Sequence, residues 1–529
     1  MNQILVNGIL LAAYFALLLF IGWMCRKRAT DVNGFVLGGR AVGPWLTAFA
    51  YGTSYFSAVV FVGYAGQFGW RYGISATWAG IGNALIGSLL AWAVLGRRTR
   101  IMTQHLDSAT MPDFFAKRFG CHGLKLAASV IIFVFLIPYT ASLYNGLSRL
   151  FGMAFSIDYA WCIVLMSVLT AIYVIAGGYM ATAINDFIQG IVMLVGISAV
   201  IWAILASKGG LAAAMDGLAR IPGPAMVPGG EPTPGIFTSF LGPDPLNLLF
   251  VVILTSLGTW GLPQMVQKFY AIKNEGSIKK GTVISTLFAF VVAGGCYFLG
   301  GFGRLFDNPS FYAADGRVVF DAIIPKMLEG LSPMLIALVV VLVLSASMST
   351  LSSLVITSSS TFTIDFINGT VVKNMSDKKQ VLCIRALIVV FIAISAVLAL
   401  VQYKSTSPIA FIAQMMGVSW GAMAGAFLAP FLYALYSKKV TAAACWTCFI
   451  AAPVFTLAGV FCRDAMPGIL KSPIATGSLA MVGGLVLVPI VSLVTRKPAK
   501  ELVDGSFACY NKTTVVPQAT ALGGESVVS

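Results

Sequence analysis

The sequence predicts an all-α polytopic membrane protein with about thirteen transmembrane helices. Of its 529 residues 58% are apolar and only 10% charged, and the apolar residues gather in windows of roughly twenty, the length that crosses a bilayer. A soluble domain needs no such excess. The formal net charge of +15 is explained by how lysine and arginine are distributed between loops, so it calls for no nucleic-acid partner. Nine cysteines are scattered along the chain. The close pair Cys445 and Cys448 lies in an apolar stretch without a neighbouring histidine, and reads as packing rather than metal or redox chemistry.

The first window, residues 4–25, is long enough to span and is followed by no small-residue cleavage site, so it reads as span 1. Spans 2 to 6 follow at 43–68, 73–96, 122–147, 155–176 and 180–206. Spans 7 to 11 fall at 245–268, 281–303, 331–364, 383–403 and 406–436, and spans 12 and 13 at 440–462 and 473–495. Together they make one transmembrane domain over residues 1–495. An odd number of spans puts the termini on opposite faces. The loops after odd-numbered spans, with the span ends beside them, hold most of the 34 lysines and arginines, among them Arg26, Lys27, Arg28, Arg97, Arg98, Arg100, Lys279, Lys280, Lys378 and Lys379. By the positive-inside rule the amino terminus is outside and the carboxyl terminus cytoplasmic.

Between spans 3 and 4 the run TMPDFFAKRFG, with Pro112 at a helix start, predicts a short interfacial helix. The stretches 208–244 and 304–330, rich in Gly and Pro, read as external caps. Residues 496–529 read as a disordered cytoplasmic tail, too short for an appended catalytic domain, and no enzyme activity is expected.

Polarity inside the spans is the signal for function. Leu342–Thr361 (LVLSASMSTLSSLVITSSST) carries hydroxyls on eleven of twenty residues. Ala346, Ser349, Thr350, Ser353, Thr357 and Thr361 recur at steps of three and four, which stacks them on one helix face. Such a stripe packs helices through small residues, or supplies a hard cation such as sodium with uncharged oxygen ligands. Asp186 is read as the single acid inside a span, with no lysine or arginine near mid-membrane; it serves an ion or caps a neighbouring helix. His105 and His122 both lie at the loop before span 4, so no histidine relay crosses the bilayer. Two spans read as broken: span 2, with Gly52, Gly63 and Gly66 beside Thr53, Ser54 and Ser57, and span 7, with Gly258, Gly261 and Pro263. Paired interruptions five spans apart point to an inverted repeat with its site at mid-membrane.

Five stretches carry a resemblance: FVLGGR (Phe35–Arg40), FSAVVFVGYAG (Phe56–Gly66), GGYMATAINDFIQG (Gly177–Gly190), WGLPQMVQKFYAIK (Trp260–Lys273) and SASMSTLSS (Ser345–Ser353). Over essentially all thirteen spans the chain resembles the sodium:solute symporter family, which includes bacterial proline and galactose symporters and animal iodide and monocarboxylate carriers. The resemblance implies a leucine-transporter-like core of two inverted five-helix repeats, 43–206 and 245–436, each opened by a broken helix. It implies sodium-coupled symport of a small organic solute into the cell by alternating access, in a plasma membrane that for a bacterium is the inner one. Sodium, a coupling ion rather than a prosthetic group, is implied to be held by the carbonyls of Thr53, Phe56 and Ala346 and the hydroxyls of Ser349 and Thr350, with Asp186 associated with the same site. Ser57, Ser256, Trp260 and Gln414 are implied to line the solute region, with Thr259 near the inner gate.

Departures from the pattern narrow the solute. Tyr55 stands where proline symporters carry an acid, the galactose symporter's charged pocket residues have no counterparts in spans 3 and 8, and span 4 lacks the arginine of some sialic-acid carriers. With no fixed charge free in the core, the expected solute is neutral, zwitterionic or monoanionic, such as an organic acid, amino acid or vitamin. A receptor or a channel on the same fold is the alternative, separated from a transporter by the lack of uphill accumulation. The partners expected are sodium, the solute and lipid, with no obligate protein partner. The topology predicts that, in a background without native cysteines, a cysteine at Ser310 reacts with an impermeant thiol reagent in intact cells and one at Ser376 only after permeabilisation; the reverse pattern overturns the charge-based orientation.

Overall fold

A computed structural model describes residues 3–155, 158–224, 231–313, 315–372, 374–403 and 412–510, with residues 518–519 and 525–526. Every long element among them is a helix; Gln518–Ala519 pairs with Glu525–Ser526 as a short antiparallel ladder. Ten helical stretches are long and apolar enough to cross a membrane, and a bent pair, Pro245–Gly261 with Pro263–Ala271, makes eleven. Two of the stretches are longer than one crossing and turn back at glycines with positive φ, Gly73 (φ 64) and Gly178 (φ 56). Dividing them there gives thirteen crossings among the described residues. Glycine is required at both turns because a Cβ is strained in that backbone region.

The helix starts follow from local chemistry. Asp244 accepts from the Asn247 N–H at 3.1 Å ahead of Pro245, and Asn274 accepts from Ser277 N–H at 2.9 Å, each satisfying a donor that the first helical turn leaves free. The breaks follow from the same logic. Span 2 runs as Pro44–Thr53, leaves the helix over residues 54–57, and resumes through a π-turn at Val59–Tyr64 into Ala65–Tyr72. Span 7 bends by 45° at Leu262, where Pro263 has no N–H to continue the ladder.

Span 9 sits at the centre. Its helix Pro333–Thr361 packs on spans 4, 5 and 6, and every residue from Val339 to Thr361 is buried. Where span 2 begins and span 7 ends, the two broken helices are stitched together: Val42 N–H donates to Ala271 O at 3.2 Å, Lys273 N–H to Val42 O at 2.9 Å, and Arg100 Nε to Ile272 O at 2.6 Å. The helix Met111–Phe119 forms as expected behind a Thr110 cap. It is more than interfacial, because Phe114 and Phe115 are buried against Phe431, Phe427 and Phe449. Arg118 on this helix donates to Ala434 O and Ser437 O, capping the C-terminal carbonyls of span 11 (Ile412–Tyr436). Burial lowers its guanidinium to about 10, still charged at neutral pH.

Three sequence expectations need correction. Asp186 is not the single charge inside the spans, and the core does hold a lysine. Lys268 is 2% exposed; it reads as a span end in the sequence, but the bend at Leu262 turns the segment Pro263–Ala271 into the protein. Asp365 is also fully buried, because the helix of span 9 continues past Thr361 as a π-turn, and Lys125 (3.3 Å) and Thr110 Oγ1 (2.6 Å) meet its carboxylate. Nor is the tail disordered throughout: Lys500–Phe507 is a helix held by Lys438–Asp504 at 2.9 Å and by Tyr510 donating to Arg98 O. Much of residues 511–529 lies outside the described residues.

Spans 2 and 8 touch backbone to backbone at Gly69 and Gly300, where a Cβ on either glycine would collide with the other span's main chain. Gly300→Val therefore abolishes monodisperse protein in detergent. Gly483→Val, at a glycine where an added Cβ would meet nothing within 4 Å, retains the wild-type melting temperature; equal behaviour of the two variants contradicts this packing.

Candidate functional site

The break in span 2 and the hydroxyl face of span 9 meet. Ser349 Oγ lies 3.2 Å from Thr53 O and 3.1 Å from Ala346 O. Thr350 Oγ1 lies 3.0 Å from Thr53 O, 3.4 Å from Phe56 O and 3.1 Å from Ala346 O. Five oxygens from five residues thus converge, and all five residues are buried. Each hydroxyl has one proton and so satisfies one carbonyl fully, leaving more acceptors than donors. The spacing matches what a cation needs. Oxygens about 2.4 Å from an ion, at the corners of an octahedron, stand about 3.4 Å apart. A sodium ion at their centre would satisfy all five without adding a fixed charge to the protein.

The structure thus brings together five of the six residues expected for sodium. Asp186 is placed differently. It is fully buried, but its carboxylate accepts no hydrogen bond from Ser349 or Thr350; Lys268 Nζ lies 4.0 Å away. Lys268 Nζ donates to Ser353 Oγ at 3.0 Å, and Ser353 Oγ is 2.8 Å from Ser54 Oγ. Ser54 adjoins Thr53, so this second polar cluster borders the first. One turn further along span 9, Thr357 donates to Gln267 Oε1 at 2.7 Å. The stripe is therefore a seam that joins span 9 to both broken helices.

The residues expected to line the solute region are spread more widely. Ser57 lies in the break and accepts from Val59 N–H at 3.2 Å. Thr259 Oγ1 lies 2.9 Å from Gly87 O, and Trp260 Nε1 donates to Ile86 O at 2.9 Å, so both face span 3. Ser256 is fully buried near Gly82, its hydroxyl without a partner among the described residues. Gln414 lines a separate cavity of about 450 Å³ at the face where spans 7, 11 and 13 begin and span 2 ends. Arg71, Arg463 and Lys471 also line it, with Gln67 and Asn247, and no carboxylate is among its described lining residues.

Some polar groups near the break were missed in the sequence. Tyr55, Tyr64, Tyr139 and Tyr297 are buried, and the hydroxyls of Tyr55 and Tyr64 have no hydrogen-bond partner among the described residues. Tyr297 neighbours Tyr64, Asn83 and Tyr55, while Tyr139 lies beside Ser57 and 5.9 Å from the Trp420 ring. Buried hydroxyls usually find partners, so a group of orphans marks room for water or a polar ligand. The available signal was tyrosine in spans otherwise apolar, since its body suits the core and its hydroxyl does not.

A helical protein whose two broken spans pack on a buried, oxygen-lined seam belongs to the class of broken-helix secondary transporters. The model of the sodium:solute symporter family matches residues 35–451, and the chain belongs to that family. It is 28% identical over 503 residues to the osmoregulated proline transporter OpuE of Bacillus subtilis, covering 93% of this chain and 95% of that protein. It is 29% identical over 440 residues to sodium/proline symporter 2 of Staphylococcus saprophyticus, covering 82% of each. Among solved structures, a Na+-coupled sialic acid symporter in a substrate-bound, outward-open state superposes with a TM-score of 0.73 at 17% identity, over 93% of this chain and 98% of that one. The fold is the leucine-transporter-like one.

If the five oxygens hold sodium, Thr350→Val removes one ligand at nearly constant volume, a loss of about 1.5 kcal/mol for a contact to a charged group. The sodium concentration giving half-maximal thermal stabilisation of the purified protein then rises on the order of tenfold. Ser349→Ala combined with Thr350→Ala abolishes the sodium response while the protein still inserts. An unchanged sodium response in the double variant sinks the assignment.

Proposed function

We propose that the protein takes up a small zwitterionic or monoanionic organic solute together with sodium, by alternating access, with its amino terminus outside and its carboxyl terminus cytoplasmic. The observation that carries this reading is the five-oxygen cluster, because it ties a cation to the contact between span 2 and span 9. An ion there favours the arrangement in which the two are joined, so binding and conformation are linked.

Charge supports the solute class. Lys268 and Asp186 offset one another, so the corrected core is still without net fixed charge, and the bound sodium is the charge a solute meets. A cation is repelled by it, whereas one carboxylate can be balanced by it and by free N–H groups at the broken-helix ends. The outer cavity points the same way, with two arginines and a lysine at its lining. For a zwitterion, one sodium entering down 100 mV contributes about 2.3 kcal/mol, which corresponds to roughly fiftyfold accumulation. The inner stitches between Val42, Arg100 and residues 271–273 are the contacts that must open for release.

Proline is the first zwitterion to try, because the curated relatives above are named for it, and Tyr55 is the feature that sets this chain apart. In proteoliposomes with an imposed sodium gradient, L-proline, other neutral amino acids and short monocarboxylates are offered in turn. At least one accumulates uphill in sodium and none in potassium. Sodium-dependent stabilisation confined to polyamines or dicarboxylates overturns the charge argument, and tight binding without flux marks a sensor.

A further inference from the structure

Arg98 and Arg118 reach the same helix end from two different elements. Arg98, on the helix Arg97–His105 that follows span 3, donates to Leu435 O at 3.0 Å. Arg118, on Met111–Phe119, donates to Ala434 O at 3.2 Å and to Ser437 O at 3.0 Å. Both guanidiniums are covered by the C-terminal segment, the helix Lys500–Phe507 with the 3₁₀ turn Ala508–Tyr510 that continues it. The Phe507 ring centre lies 4.8 Å from Arg118 Cζ, and the Tyr510 ring centre 4.7 Å from Arg98 Cζ. Residues three apart in such a segment share a face, and the two ring centres stand 5.9 Å apart, so one face of the segment carries a ring to each arginine. Further bonds hold it there. Tyr510 donates to Arg98 O at 3.2 Å, His105 Nε2 lies 2.8 Å from Gly505 O, and Lys438 pairs with Asp504 at 2.9 Å. Val503, Ser506, Phe507 and Cys509 are buried.

We propose that residues 500–510 are a clasp that holds the protein closed at the face where span 2 begins and span 7 ends. The helix that carries Arg98 and His105 also carries Arg100, whose guanidinium donates to Ile272 O at 2.6 Å and to Lys273 O at 3.3 Å. Residues 271–273 are stitched in turn to Val42. The docked clasp fixes Arg97–His105 against span 11 and Met111–Phe119, and so fixes the stitch. An opening that draws the broken helices away from Met111–Phe119 moves Arg98 relative to Arg118 and takes one of the two rings off its arginine, so opening here and release of the clasp are one event. The clasp thereby favours the arrangement open at the opposite face, where Gln67 lines the larger cavity. This inference rests on alternating access between the two faces, not on which ion or solute is carried.

In a background without native cysteines, Thr361→Cys reports on this face and Gln67→Cys on the opposite one. Thr361 is 2% exposed and lines a cavity of only about 10 Å³ between residues 109–111, span 7 and span 9. Phe507→Ala with Tyr510→Ala uncovers both arginines and leaves their hydrogen bonds to span 11 in place. In the purified full chain, the rate at which a small thiol reagent modifies Thr361→Cys then rises about threefold or more, the factor carried by one exposed cation–aromatic contact, while modification of Gln67→Cys stays level or falls. No rise at Thr361→Cys overturns the proposal, and so does a rise at both positions, which marks general loosening. If the double variant does not fold, native-state hydrogen exchange of the wild type decides. Clasp amides 503–507 and the amides of Val42 and Lys273 share one protection and one urea dependence when they open together; separate values overturn the proposal. The expected labelling in a protein that accumulates no solute would uphold the clasp and defeat the transport reading.

Discussion

In hydrocarbon every backbone carbonyl must find a partner, and the break in span 2 leaves those of Thr53 and Phe56 without the N–H groups that a continuous helix supplies. The rest of the core follows from how they are met. Span 9 brings Ser349 and Thr350 to them, and so must be buried on all sides, with spans 4, 5 and 6 packed around it. Hydroxyls are a partial answer, because two protons cannot satisfy all the carbonyls gathered there. On the proposed sodium reading, that shortfall is what makes the contact responsive to a cation. A fully satisfied contact would have fixed the two helices in one arrangement, whereas one completed by an ion lets them part when the ion goes.

The same contrast runs along the seam. At Thr357 a side-chain hydrogen bond to Gln267 completes the contact without an ion. At Ser353 an ammonium from the chain itself does so. At Ser349 and Thr350 no protein cation among the described residues forms a hydrogen bond. Three successive turns of one helix thus carry a neutral contact, a contact to a buried lysine and, on the proposed reading, the place for an exchangeable ion, which lies nearest the break.

Much of this was legible in the sequence. Twenty-residue apolar windows mark crossings because bilayer thickness fixes their length, and Gly258, Gly261 and Pro263 mark a break because proline offers no N–H. The steps of three and four from Ala346 to Thr361 marked the seam before its partners were known. Lys268 was hidden for a physical reason: hydropathy treats a charge at the end of an apolar window as facing water, and only the bend at Leu262 carries it inward. Asp365 was hidden in the same way by the continuation of span 9. The tyrosines around the break were invisible because Tyr55, Tyr64, Tyr139 and Tyr297 come together from spans 2, 4 and 8, and no spacing within one span shows that. Neither does it show that Gln414 lies in the cavity with Arg71 and Arg463, apart from Trp260 and Thr259.

Coupling of the ion to the fold depends on the shortfall of protons at Thr53, Phe56, Ala346, Ser349 and Thr350, and equilibrium binding of 22Na+ to the purified protein without solute tests it most directly. Saturable binding of one sodium per chain, not displaced by excess potassium, is the expected result. No saturable binding, or equal displacement by potassium and sodium, would contradict it.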